Sequence, residues 1–407
     1  MSIITPEGLA YWPWTPRGAE PFAVRRRIGF YSVPVTASLP DHVRARGELD
    51  LDALRALDRS ALLDGIDRAV VWEIPLRNRF RGLTRRDGVL LHGPAGWGEV
   101  APFWDYDAEA SAPWLASALE AATGVGPGGR AIAPPAVRRD QIQVNVTIPE
   151  VPADRARVLV RLSGAATAKV KVAGSPGALQ EDLRRLEAVR DALGPAGRIR
   201  IDVNRAWDVE TARTNLPLMN QAASGLEYVE QPCASATELA ALRRTMNLPV
   251  AADESIRLSA DPLAVVGLRA ADIAVLKVAP LGGVTRTLAL AERLGLPAVV
   301  SSALDTSVGI FAGLTLAAAL PDLDRACGLG TITLLGRDVA VPSLAPRAGI
   351  LTLQPLRVSR SLLGFAAAGE ELTARWQARM GHLIGALRAR RERERRDPRQ
   401  AVAGLPL

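Results

Sequence analysis

The chain has 407 residues, enough for a barrel of about 250 residues and a smaller domain, and 48% of them are apolar, which supplies a large core. Its formal net charge of +7 comes from scattered arginines, without the aromatic-interleaved basic stripe of single-strand binders, so nucleic acid is not an expected partner. Two cysteines, Cys233 and Cys327, fit neither a disulfide framework nor a metal-ligand spacing; with no basic-then-apolar leader at residues 1–18 and no apolar run of about 18 residues, the expectation is a cytoplasmic protein without a membrane span.

Residues 1–62 are rich in Pro, Arg and Ala. A strand hint at 28–33 and a helical pattern over 49–63 point to no function, and the segment reads as an extension of unknown role. From Arg68 the pattern becomes regular: residues 69–76 alternate as a strand, 77–84 form a polar loop, and Asp87-Gly88 turns the chain into a second strand at 89–92. Three aromatic residues, Phe103, Trp104 and Tyr106, then cluster in a chain that is only 4% aromatic. A helix over 111–122 and a glycine-rich linker at 124–129 complete a first domain at 63–135.

From Gln141 short apolar strands alternate with helical segments, the rhythm of a parallel βα sheet or barrel. The strands fall at 143–148, 168–172, 198–203, 226–230, 250–253, 273–278, 298–302 and 325–328. Eight strands favour a closed (β/α)8-type TIM barrel over residues 136–345. After it, 350–358 reads as a strand rejoining the N-terminal hairpin within a returning segment at 346–385. Residues 370–396 read as a long helix whose end, in the basic tail 386–407, is a solvated face because glutamates interleave its arginines.

Chemistry concentrates at the strand ends. Of 50 Lys+Arg residues only three are lysine, Lys169, Lys171 and Lys277, and each sits in an apolar strand. Arginine cannot give up its proton near neutral pH; a lysine in a dry, cation-rich pocket can. Strand alternation puts Lys169 and Lys171 on one face, and across an eight-strand ring Lys277 stands opposite. Three successive strands end in Asp202, Glu230 and Asp253. Hard oxygen ligands without His or Cys suit Mg²⁺, with Mn²⁺ as a substitute. Such a cation, with the lysines repelling one another, would lower the amine pKa values and stabilise an enediolate formed beside a carboxylate.

The order Lys169-Val170-Lys171, Asp202, Glu230, Asp253, Lys277 on strands two to six resembles the enolase superfamily, in its branch with lysines on both sides. Within it, residues 77–82, 93–99 and 103–106, with Ser301–Ser307 at strand seven, resemble the o-succinylbenzoate synthase family of actinobacterial type. The resemblance covers roughly residues 65–363 and implies an α+β capping domain built from N- and C-terminal segments. It also implies dehydration of 2-succinyl-6-hydroxy-2,4-cyclohexadiene-1-carboxylate, a small-molecule carboxylate, to o-succinylbenzoate on the way to menaquinone. On this basis Lys171 removes the proton and helps hydroxide leave, Lys277 stabilises the anion, and Lys169 supports Lys171. Asn204 and Gln231 orient the ligands, Ser301, Ser302, Gly328 and Leu329 bind the succinyl carboxylate, and Arg79, Trp104 and Tyr106 close over the substrate.

Two other readings stay open. An N-succinylamino acid racemase or dipeptide epimerase uses the same two lysines, one on each face, and the motif residues do not separate it from the synthase. A non-catalytic barrel using its basic tail to bind RNA or an acidic partner predicts degenerate strand ends, against the intact set here. His42, His92 and His382 all lie away from the strand ends, which argues against the histidine-base branches. Oligomeric state is not encoded in any motif.

Overall fold

The computed structural model describes residues 45–126, 129–175 and 177–397; the strand hint at 28–33 lies outside them. The first layer is built by α1 (Leu51–Leu57), the antiparallel meander β1 (Arg68–Phe80), β2 (Leu83–Gly93) and β3 (Gly96–Val100), and α2 (Ala108–Thr123). The hairpin reverses inside the expected 77–84 loop, between strands that run longer than the sequence suggested. Phe80 pairs with Leu83, and the two residues between them, Arg81 and Gly82, have φ of 49° and 77°, the paired positive values of a type I′ turn. Asp87-Gly88 lies mid-strand opposite Glu73 and Trp72. The glycine there is a packing residue: a Cβ on Gly88 would come within 3.0 Å of the Trp72 ring and 2.8 Å of the Ala101 Cβ.

The barrel follows with β4 (Gln141–Gln143), β5 (Val146–Ile148), α3 (Ala153–Ser163), β6 (Thr167–Lys171), α4 (Leu179–Leu193), β7 (Arg198–Asp202), α5 (Val209–Ala222), β8 (Tyr228–Glu230) and α6 (Ala236–Arg243). It continues with β9 (Val250–Ala252), α7 (Glu254–Arg257), α8 (Ala264–Gly267), β10 (Ile273–Lys277), α9 (Val278–Leu281), α10 (Val284–Leu294), β11 (Ala298–Ser301) and α11 (Ser307–Ala319). Strands β5 to β11 form one parallel sheet in chain order. The expected eighth strand is reduced to two bridges, Cys327 with Val144 and Gly328 with Ser301. They suffice to close the ring: Cys327 N donates to Gln143 O (2.7 Å), Asn145 N to Cys327 O (2.9 Å), and Gly328 N to Val300 O (2.7 Å).

The chain then returns through β12 (Ile350–Thr352), α12 (Arg360–Ala366) and α13 (Glu370–Arg396). Strand β12 pairs with β4, not with the N-terminal hairpin. It is α13 that returns to the first layer. Trp376, Met380, Leu383, Ile384 and Leu387 pack with Leu54, Val71, Leu91 and Trp114 in one buried cluster, each such side chain contributing about 1.5–3 kcal/mol. Two expectations change here. Residues 45–62, assigned to the extension, belong to this layer, since Leu49, Leu54 and Leu62 are buried in its core and Leu49 N donates to Ala69 O. The basic end of α13 is docked where it was expected to be solvated: Leu387 is fully buried, and buried Glu394 accepts from Arg286 and Arg390, both at 3.2 Å. Among the described residues no helix is long and apolar enough to cross a membrane.

Candidate active site

Register brings the strand ends together. Lys171 is the pairing partner of Asp202, which in turn partners Glu230; Asp253 follows β9, and Lys277 ends β10. Asp202, Glu230 and Asp253 are all essentially inaccessible. Lys169 Nζ donates to Glu230 Oε1 at 2.6 Å and lies 2.8 Å from Asp202 Oδ2. Lys171 Nζ donates to Asp202 Oδ2 at 2.5 Å and Asn204 Oδ1 at 2.6 Å, while Lys277 Nζ donates to Asp253.

This arrangement splits the lysines. Burial works against the Lys169 charge, but Asp202 and Glu230 outweigh it and raise its pKa, so Lys169 is a fixed cation. For Lys171 burial wins over the pull of Asp202, with the Lys169 charge adding to the effect, and its pKa falls below the ordinary lysine value. The lowering expected of the amines is tied to a bound divalent cation; here the two carboxylates set the direction for Lys169. Against the opposing effect of burial, Lys169 and Lys171 hold Asp202 well below the usual carboxylate range, and Arg257 and Lys277 hold Asp253 at about 2. Burial and then the Asp202 charge push Glu230 up to about 7.

The donor set suits a hard divalent cation. Among the described residues no three His, Cys, Asp or Glu groups already surround a common point. Instead the Lys169 ammonium bridges Asp202 and Glu230, as a cation held between two carboxylates would. The oxygen-only chemistry suits such an ion, and the stand-in cation touches two of the three carboxylates, while Asp253 pairs with Lys277 and Arg257.

Several sequence-assigned residues meet in one cavity of about 40 Å³, lined by Lys169, Lys171, Asp202, Lys277, Ser301, Ser302 and Gly328. Ser302 Oγ donates to Gly328 O at 2.7 Å. Asn204 binds Lys171, as above, and its Nδ2 donates to Glu254 Oε1 at 3.4 Å; it meets Asp202 through its backbone N–H, which donates to Oδ1 at 3.1 Å. Gln231 does support Asp253: its Oε1 accepts from the Asp253 N–H at 3.0 Å and the Ser255 N–H at 3.1 Å.

Other assignments do not reach the cavity. Arg79 is exposed on β1. Trp104 is 38% exposed, its indole N–H donating to Asp87 beside Trp376. Leu329 is buried behind the site, close to Gly313. Tyr106 stands one layer back: Arg257 Nη1 donates to its hydroxyl at 2.9 Å, and its ring packs against Phe103 and Trp114, which line the cavity. The cavity is closed from the first layer by Phe80, Arg81 and Phe103, with the Arg81 guanidinium 4.3 Å from the Phe103 ring centre. Sequence reading drew the 77–84 loop and the 103–106 cluster but assigned Arg79, Trp104 and Tyr106 from them, because a loop over 77–84 hid the strand alternation that turns Phe80 inward. It also missed Thr147 and Arg257, both lining residues. Arg257 was legible from its i,i+4 spacing to Asp253, to which its Nε donates at 2.9 Å.

Comparison with known proteins agrees with this geometry. Residues 71–122 match the enolase N-terminal domain-like family and residues 152–356 the enolase C-terminal domain-like family. The chain is 50% identical over 327 residues to o-succinylbenzoate synthase of Thermobifida fusca, covering 80% of this chain and 98% of that one. It is 51% identical over 289 residues to the Mycobacterium tuberculosis enzyme of the same name, covering 71% and 85%. Among solved structures, muconate lactonizing enzyme from Pseudomonas fluorescens superposes with a TM-score of 0.62 at 20% identity, covering 74% of this chain and 98% of that one. N-succinyl Arg/Lys racemase from Bacillus cereus gives 0.60 at 18%, covering 74% and 96%. These structural likenesses bear on the fold alone.

Proposed function

The chain belongs to the o-succinylbenzoate synthases of the enolase superfamily, which are hydro-lyases, and from that premise we propose that Lys171 is its acid/base and Lys277 its anion-stabilising cation. The reaction is dehydration of 2-succinyl-6-hydroxy-2,4-cyclohexadiene-1-carboxylate to o-succinylbenzoate, a step toward menaquinone. Lys171 takes the ring proton beside the carboxylate, the electron pair spreads into that carboxylate as an enediolate, and the ring C–O bond then breaks. The departing hydroxide takes the proton back from Lys171 and leaves as water, so the ring becomes aromatic and Lys171 is regenerated. Lys277, on the far side, holds its charge against the developing anion. Ser301 and Ser302 receive the succinyl carboxylate.

The observation that carries this reading is the geometry of the paired lysines: Lys169 is held between Asp202 and Glu230, while Lys171, two residues on along the same face, pairs with Asp202 alone and with the Asn204 amide oxygen. When bound by Asp202, Glu230 and Asp253, Mg²⁺, or Mn²⁺ in its place, supplies charge neutralisation at the substrate carboxylate. A space of about 40 Å³ holds only a few waters at ~10–15 Å³ each. Substrate entry therefore requires the lysine–carboxylate pairs and the Phe80–Arg81–Phe103 wall to spread apart.

The test is to follow the absorbance change of ring aromatisation with purified protein and Mg²⁺. Turnover that stops on adding chelator and returns with excess Mg²⁺ is expected; turnover indifferent to chelator would remove the metal from this scheme.

A further inference from the structure

Two buried carboxylates of the first layer cross to the barrel and end on helix N-termini. Glu99, on β3 and 6% exposed, reaches the start of α11. Its Oε1 accepts from Thr306 N (3.1 Å), and its Oε2 accepts from Gly309 N (2.9 Å) and from the Thr306 hydroxyl. Glu120, on α2 and 3% exposed, reaches the start of α10, where its Oε1 accepts from Thr285 N at 3.1 Å. Helix α10 has no side-chain cap of its own, because its N-cap residue is Gly283. That glycine has a φ of 117°, and a Cβ on it would lie 2.6 Å from Glu120 Oε2. A residue of the first layer thus provides the acceptor that the barrel helix lacks, and Gly283 leaves the room for it.

Both contacts fall on segments that follow barrel strands ending in site residues. Gly283 is six positions after Lys277, and Thr306 is four after Ser302. Arg86, on β2 and almost fully buried, grips the second segment from the same side by donating to Leu304 O (3.3 Å) and Ala303 O (3.4 Å). We infer that Glu99 and Glu120 are positioning residues: Glu120 fixes the α9–α10 junction downstream of Lys277, and Glu99 fixes the segment that follows Ser301 and Ser302. The inference rests on the roles proposed above for those three residues. It makes the first layer part of the catalytic geometry as well as a lid.

Each carboxylate acts through a different function, so the kinetic signatures differ. Glu120→Ala is expected to lower kcat by about 100-fold with KM nearly unchanged, the cost of displacing a catalytic group by roughly 1 Å. Glu99→Ala is expected to raise KM by about tenfold or more, with the smaller effect on kcat. Glu120→Gln keeps the acceptor oxygen for Thr285 and is expected to restore kcat to within about fivefold of the parent. A merely structural role lowers the active fraction in both variants alike and leaves KM untouched; that pattern, or full activity in either alanine variant, overturns the inference. Where Glu99→Ala does not fold, Thr306→Val removes one of the same hydrogen bonds and must raise KM. Lys277→Ala, assayed in parallel, separates the two levels: if it keeps parental activity, the role of Lys277 fails independently of the clasp.

Discussion

At the scale of single residues, three amines that look alike in the sequence have different surroundings, and the proposed roles rest on that difference. Lys169 touches two carboxylates and Lys171 one carboxylate and one amide oxygen. That asymmetry leaves the second as the amine that can exchange a proton. Lys171→Ala is accordingly expected to reduce kcat by at least about 10²–10⁴-fold while the protein keeps its circular dichroism and melting temperature. Lys171→Arg should not rescue it, because a guanidinium stays protonated. Activity surviving in either variant would move the acid/base elsewhere. These residues were legible because strand alternation fixes which face a side chain takes, and Lys169, Lys171, Asp202 and Lys277 all line the cavity as that rule requires. Arg79 shows where the rule gives no guidance: with residues 77–84 drawn as a loop, nothing tells Arg79 apart from Arg81, which lines the cavity.

At the scale of elements, close approach matters more than propensity. Helix α2 lies so near β3 that a Cβ on Gly98 would sit 2.0 Å from the Ala118 carbonyl oxygen. Gly98→Ala must therefore push the helix off the sheet, at a cost of about 3 kcal/mol or more, seen as a lower denaturant midpoint. Glu99 and Glu120 lie on these two elements, so the same variant should also lose activity beyond its loss of stability. A stability equal to the parent would mean that the helix can shift freely. The Gly-Trp-Gly-Glu stretch could be read as a loop from sequence because glycines usually mark turns; here Gly98 serves helix packing inside a strand. The eighth barrel strand illustrates the opposite case. Residues 325–328 were rightly placed, yet pairing with both neighbours takes only Cys327 and Gly328, so an apolar run overstated the strand.

At the scale of the molecule, the first layer is one core drawn from both ends of the described chain, Leu49 and Leu54 from one side and α13 from the other. Sequence patterning gave α13 its length but could not show its partner, since contacts such as Arg379 with Ser111 and Gln377 with Asp50 span 268 and 327 positions and leave no local signal. The interface between this layer and the barrel carries buried charge, and that makes stability depend on pH. Burial pushes Glu120 up to about 7 from an ordinary 4.5, partly offset by hydrogen bonds from Thr285 and Val284. A carboxyl whose folded pKa lies above its unfolded value contributes stability that is fully present below about pH 4.5 and is lost as pH rises through about 7. A separation of that size corresponds to something on the order of 3 kcal/mol. Glu120→Gln cannot ionise, so it should lack this loss. Denaturant unfolding of parent and variant from pH 4.5 to pH 8 is expected to show the variant gaining on the parent as pH rises. Most of the gain should fall between about pH 5 and 7; parallel stability curves would mean that Glu120 is charged at the interface throughout.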